Sequence, residues 1–200
     1  MVLSKPELIK RIRAGLKKPD DYRCLSFNPE IPAAAIKQCS IDLRLGRIFS
    51  VFLEKENPTI GSLQIQNAKD IFDAPNLWHH QEKDTWTLEP QEFVLTQTLE
   101  AVHLPHDVMG LVEGRSSWAR LGISVHVTAP KIDPGFNAPI TLELTNHSKM
   151  AVKLIAGVDQ PCQLILLNLS SPLKLEELYG SSPADLFANQ THPTGKKKKK

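Results

Sequence analysis

Short alternating or apolar segments, separated by proline and glycine about every ten residues, run through most of this 200-residue chain, which holds 15 prolines. Proline can neither donate to a ladder nor continue a helix, so this punctuation breaks long helices and leaves short strands joined by tight turns. Segments Ser40–Phe52, Phe93–Leu104, "VMGLVEG", "ISVHVTA", "ITLELTN", "MAVKLIAG" and "CQLILLNLS" read as strands. The pattern predicts a mainly β barrel or sandwich rather than alternating β/α units. One helix is expected at the start, where Ser4 and Glu7 form an S-x-x-E capping box ahead of Leu8, Ile9 and Ile12. The polar stretch 54–84 reads as an insertion, and strand signals fade from Leu173 onward.

Composition narrows the chemistry mainly by exclusion. Hydrophobic residues make up 41% and charged residues 23%, so the chain can bury an ordinary core. Its net charge of +2 owes everything to Lys196–Lys200, a solvated tail that argues for no nucleic-acid partner. No apolar run is long enough to span a membrane and no leader is evident, so a cytoplasmic location is expected. Cys24, Cys39 and Cys162 are odd in number and widely spaced, with no C-x-x-C and no H-x-E before P-C-x-x-C, so zinc-deaminase and zinc-finger readings fail. His79 and His80 are adjacent, and a surface loop suits them better than a metal site.

One stretch concentrates hydrogen-bonding capacity. "EGRSSWARLG" places Arg115, Ser116, Ser117 and Arg120 between two glycines. A single helical turn there would put Ser116 and Arg120 on one side and make an anion cradle; a connector whose arginines meet surface carboxylates is the plainer alternative. Downstream, "IDPGF" holds Asp133 and Phe136 in a tight turn. The next strand turns Ile140, Leu142 and Leu144 to one side and Thr141, Glu143 and Thr145 to the other.

Taken in order, "QCSIDLRLG", "EPQEFVLTQTLEAVHLPHDVMGLVEGRSSWARLG", "VHVTAPKIDPGFNAPITLELTN" and "YGSSPADLFANQTHPTG" resemble the dCTP deaminase/dUTPase family, its deaminase branch most closely. The resemblance implies a distorted jelly-roll β barrel of the dUTPase-like type, with a short N-terminal helix and a C-terminal arm. Residues 1–172 would form the nucleotide-binding domain, 173–195 the arm and 196–200 the tail. It further implies a homotrimer with active sites between subunits, and Mg²⁺ held by the phosphates of the substrate, without zinc.

The implied reaction is hydrolysis of dCTP to dUTP and ammonia, supplying dUTP for dUMP and thymidylate synthesis. By the same resemblance Glu143 would be the general base, oriented by Arg120, while Ser116 and the Ala129 carbonyl would place the water and the exocyclic amine. Arg115, Ser116, Ser117 and Lys131 would bind phosphates. Asp133 would meet the deoxyribose, Phe136 would pack on the sugar, and Gln163 would help hold the nucleotide. Tyr179 and Gln190 would close the arm, and dTTP would inhibit through His126. Pro130, Lys131, Ala138, Leu186 and Phe187 depart from the residues common in single-activity members. Two alternatives stand beside this reading: a bifunctional enzyme releasing dUMP and pyrophosphate, in which Asp133 orients a second water, and a non-catalytic deoxynucleotide sensor.

Overall fold

Alternation of the kind just described does close this chain into a mainly β, jelly-roll-like architecture, whose computed structural model describes residues 1–18, 21–52, 78–185, 187–188 and 190–194. The poly-lysine tail, Leu186 and most of the 54–84 stretch lie outside the described residues. After helix α1 (Lys5–Lys17) come strands β1 (Ser26–Asn28), β2 (Ile41–Leu43), β3 (Ile48–Phe52), β4 (Trp78–Glu82), β5 (Thr85–Leu88), β6 (Phe93–His103) and β7 (Val108–Gly114). A one-turn helix α2 (Ser116–Ala119) leads to β8 (Ile123–Ser124), β9 (Lys131–Ile132), β10 (Asn137–Asn146), β11 (Val152–Ile155) and β12 (Cys162–Asn168).

The described strands form three hydrogen-bonded sheets rather than one closed ladder. The largest runs β4-β3-β6-β10-β8 with β1 also on β6; the second runs β2-β12-β7-β9; β5 and β11 make a ribbon. All three contribute to one hydrophobic core, which includes Phe49, Val94, Leu142 and Leu144 from the first, Leu43, Val112 and Leu164 from the second, and Leu88 and Leu154 from the ribbon. In β10 every second residue, Ala138 through Asn146, is buried, as a period of two requires.

Several expectations are corrected. The Ser40–Phe52 segment is two strands, because Gly46 sits against β6 so closely that a Cβ there would meet the Gln97 carbonyl oxygen at 2.7 Å. The chain crosses from one sheet to the other at this point. Only Ile123–Ser124 of "ISVHVTA" pairs as a strand. His79 and His80 lie on β4, not in a loop, and His80 Nδ1 is 2.8 Å from the Ser50 hydroxyl. The capping box does not form: the Ser4 side chain makes no cap hydrogen bond, and Glu7 pairs with Arg11 at 3.1 Å and Lys10 at 3.4 Å. A cation one turn away on the same face outcompetes the backbone N–H for the carboxylate. Arg11 continues to Asp107 at 2.9 Å and Asn168 at 3.1 Å, fixing α1 to the ends of β7 and β12.

Two local features shape the cavity described below. Pro139 has no N–H to give the β6–β10 ladder, and the register shifts between Pro139 and Thr141. Ile140 N–H is satisfied by the Thr98 hydroxyl instead, at 2.9 Å. Gly135 has φ +88°, and a Cβ there would meet Leu178 Cβ at 2.7 Å and Tyr179 backbone atoms at 3.0 Å. Gly135→Ala is therefore expected to cost about 1–2 kcal/mol through backbone conformation alone, and more through that collision. Thermal unfolding should register a fall of at least ~2–4 °C. An unchanged melting temperature would mean that the turn relaxes freely.

Candidate active site

Seven of the residues singled out from sequence line one cavity of about 280 Å³: Ala129, Lys131, Asp133, Phe136, Glu143, Tyr179 and Gln190. Its floor is β10, where Glu143 and Thr141 project opposite the core-facing leucines. The Glu143 carboxylate accepts a hydrogen bond from the Val127 N–H at 2.7 Å, and the Glu143 N–H donates to the Val125 carbonyl at 2.9 Å. The segment after β8 thus grips both ends of this residue. That donor was missed in the sequence, because a backbone N–H carries no residue signature.

The wall is the 133–136 turn. Phe136 N–H donates to the Asp133 carbonyl at 3.1 Å, Gly135 N–H to Leu104 at 3.0 Å and Leu104 N–H back to Phe136 at 2.9 Å. Phe136 is thereby buried against the cavity. Lys131 Nζ lies 2.8 Å from Asp133 Oδ1. Both side chains are substantially exposed, so the pair contributes about 0–1 kcal/mol and an arriving anion can draw the lysine away. Ala129 is exposed, and its carbonyl makes no backbone hydrogen bond among the described residues, which leaves an acceptor at the rim.

The roof comes from beyond residue 173. Tyr179 N–H donates to Pro134 O at 2.9 Å and its ring stands 6.1 Å from that of Phe136. Burial raises the Tyr179 phenol above its ordinary value, against a backbone hydrogen bond with Phe187 that lowers it, so the hydroxyl is neutral at physiological pH. Gln190 is buried and donates from Nε2 to the Pro139 carbonyl and the Thr141 hydroxyl, both at 2.9 Å. The irregularity at Pro139 thus becomes the seat of the roof. Phe187 and Pro193 complete it. A Pro within a strand pattern signals such a bulge, and the alternation along β10 sets Thr141 on the same side as Glu143.

The remaining candidates lie elsewhere. Ser116, Ser117 and Arg120 are exposed on α2, whose turn closes through Arg120 N–H to Ser116 O at 3.1 Å. Within the single chain Arg120 makes no ion pair among the described residues, with Glu143 or any other carboxylate. Arg115 pairs with Asp42 at 3.2 Å, Gln163 donates to Gly114 O at 3.1 Å, and His126 Nε2 lies 3.3 Å from Glu113. The chain therefore carries two groups: a cavity with two carboxylates and an aromatic wall, and an exposed set of cations and hydroxyls outside it. At about 280 Å³ the cavity is near the lower end of the ~300–1,000 Å³ usual for ligand sites, with room for a nucleoside.

No three His, Cys, Asp or Glu side chains converge as a metal group among the described residues. Cys162 is fully buried and its thiol is pushed well up by that burial, so it is not a nucleophile. No described helix is long and apolar enough to cross a membrane.

Comparison with known proteins converges on one family. A family model described as dCTP deaminase-like matches residues 2–169. A protein of Thermobifida fusca named "dCTP deaminase, dUMP-forming" is 39% identical over 195 residues, covering 97% of this chain and 91% of its own. One of the same name from Dictyoglomus turgidum is 38% identical over 183 residues, covering 91% of each. Among solved structures, the 2′-deoxycytidine 5′-triphosphate deaminase of Agrobacterium tumefaciens aligns with a TM-score of 0.60 at 20% identity, over 82% of this chain and 47% of that one, a likeness of fold.

Proposed function

The chain belongs to the dCTP deaminase-like family, and from that premise we propose that it removes the C4 amino group of dCTP by hydrolysis. The observation that carries the reading is Glu143, a carboxylate on the floor of a nucleoside-sized cavity, fixed by the Val127 N–H. In this reading Glu143 takes a proton from water as the oxygen adds to C4. It then passes that proton towards N3 or the departing nitrogen, and the C4–N bond breaks to give ammonia. The free carbonyl of Ala129 receives the exocyclic amine, and Phe136 packs on the deoxyribose.

Among the described residues Lys131 is the one cation that lines the cavity, and it is already engaged by Asp133. Arg115, Ser116, Ser117 and Arg120 of a neighbouring copy supply what is missing, with Arg120 reaching the Glu143 carboxylate across the interface. A homotrimer with shared sites has this form. Mg²⁺ enters as part of the substrate, on its phosphates, and Lys131 exchanges Asp133 for a phosphate oxygen.

A second carboxylate in the same cavity, Asp133, supports a product beyond dUTP. The names of the relatives, dUMP-forming, point the same way. In the fuller reading Asp133 orients a water onto the α-phosphorus, the bond to the bridging oxygen breaks, and dUMP and pyrophosphate leave. Incubation with dCTP and Mg²⁺ tests this: ammonia and pyrophosphate should appear in equal amounts with dUMP. Ammonia without pyrophosphate would leave a deaminase that stops at dUTP. Neither product, with nucleotide still bound, would indicate a sensor.

A further inference from the structure

His80 lies outside the cavity, yet the largest sheet connects the two. Its register partner on β3 is Ser50, that of Ser50 on β6 is Leu95, and that of Leu95 on β10 is Glu143. Paired residues of antiparallel strands project to the same face, so these four side chains form one row, on the side away from the core residue Phe49. Leu95 and Glu143 line the cavity, and Ser50 is fully buried although it faces away from the core. His80 Nδ1 stands 2.8 Å from the Ser50 hydroxyl and closes that end of the row.

The roof meets the row at the same end. The ring of His192 lies 5.6 Å from that of His80, centroid to centroid, with the planes tilted by 31°. The Thr191 carbonyl can only accept, so His192 carries a proton on Nδ1, 2.9 Å from it. The next residue, Pro193, lines the cavity. Segment 190–194 is therefore held to β10 by Gln190, through Pro139 and Thr141, and to β4 by His192.

Imidazole is the side chain whose charge changes between about pH 5 and 8. Two neutral rings attract as an aromatic pair, and two protonated rings repel. Few other charges face this pair among the described residues. β3 carries none from Ile48 to Phe52, β6 offers Leu95 and Gln97, and His192 is the one titratable group of 190–194. His79 points to the opposite face of β4. Glu82, two residues along β4, is exposed, and Glu143 lies three strands away with its carboxylate bonded to the Val127 N–H.

We propose that His80 is a positioning residue for the reaction: through His192 it holds the roof over the cavity at neutral pH and releases it when both rings are protonated. His80 itself touches no substrate. This rests on the cavity taking dCTP, as the proposed function has it. The test uses the full-length protein as wild type, His80→Ala, His192→Ala, the double variant and His192→Phe. Turnover of dCTP is measured between about pH 5.5 and 7.5, and hydrogen exchange of the peptide spanning 190–194 is followed by mass spectrometry.

At neutral pH each alanine variant should raise KM for dCTP roughly three- to tenfold, the scale of one aromatic pair, with kcat little changed. Exchange of the arm should quicken by a like factor, and the double variant should do no worse than either single one. Acidification should raise the wild-type KM several-fold and leave His192→Phe level, because that variant keeps a ring but cannot be charged. A merely structural His80 would give wild type and His192→Phe the same pH profile. An unaltered KM or an unaltered arm exchange in His192→Ala, effects that add in the double variant, or a shared pH profile each overturns the proposal. The His192 variants report even if His80→Ala fails to fold. If wild type releases no ammonia from dCTP yet arm exchange still couples the two histidines, the proposed function falls and the anchoring of the roof stands. If dCTP is deaminated with no coupling between them, the reverse holds.

Discussion

Glu143→Gln should bind dCTP about as tightly as the wild-type protein and release ammonia roughly 10²–10⁴-fold more slowly, the contribution of a positioned general base. The amide keeps an oxygen that can accept the Val127 N–H now satisfied by the carboxylate at 2.7 Å, so shape and placement survive while basicity does not. Nucleotide binding, followed by equilibrium titration, and ammonia release, followed by a coupled assay, separate the two effects. Ammonia released at an undiminished rate would remove Glu143 from the chemistry. Loss of binding along with turnover would instead make the residue part of the cavity's architecture, with no inference to catalysis.

Asp133→Asn is the second large effect and concerns a different bond. With the carboxylate gone, the water it would orient onto the α-phosphorus loses its base, so dUTP should accumulate where the wild-type protein yields dUMP. Pyrophosphate release should drop by roughly 10²-fold or more while ammonia release continues. The fold should tolerate the change, because the lost contact with Lys131 is exposed and contributes at most about 1 kcal/mol. Chromatography of the nucleotides, with both leaving groups measured, decides the outcome. Equal loss of ammonia and pyrophosphate would assign Asp133 to nucleotide binding alone.

What could be read from the residue string follows the range of the interaction concerned. The alternation that buries Leu142 and Leu144 and leaves Glu143 in the cavity is local, has a period of two, and was visible directly. The α2 turn was visible for the same reason, its Ser116 and Arg120 one turn apart between glycines. The division of Ser40–Phe52 at Gly46 was not, because the pattern runs on through the glycine and only the approach of β6 forces the break. The Ser4–Glu7 box was legible and did not form, since Arg11 offered Glu7 a charge that the backbone could not match. The pair of Asp42 and Arg115 leaves no local mark, because its members are remote in sequence and nothing nearby distinguishes a roofed strand aspartate from a solvated one.

In the cavity the roles read from sequence depended on residue identity, whereas the means of holding them did not. Val127 orients Glu143 through a backbone N–H, and Gln190 takes its seat on β10 partly through the backbone carbonyl of Pro139. Such contacts are nearly indifferent to which side chains supply them, so they leave no trace in a single sequence.

The period of two along β10 has a consequence for how such a chain can diverge. Glu143 and its neighbours Leu142 and Leu144 share one strand, so the floor of the cavity and the wall of the core are opposite sides of a single ribbon. Point substitutions can alter either side independently. Insertion or deletion of one residue between Asn137 and Asn146 cannot, because it would drive the carboxylate into the core and expose the leucines in the same step. Descendants of this chain can therefore change length freely only in the connections, and the spacing within β10 should outlast most of the residues that fill it.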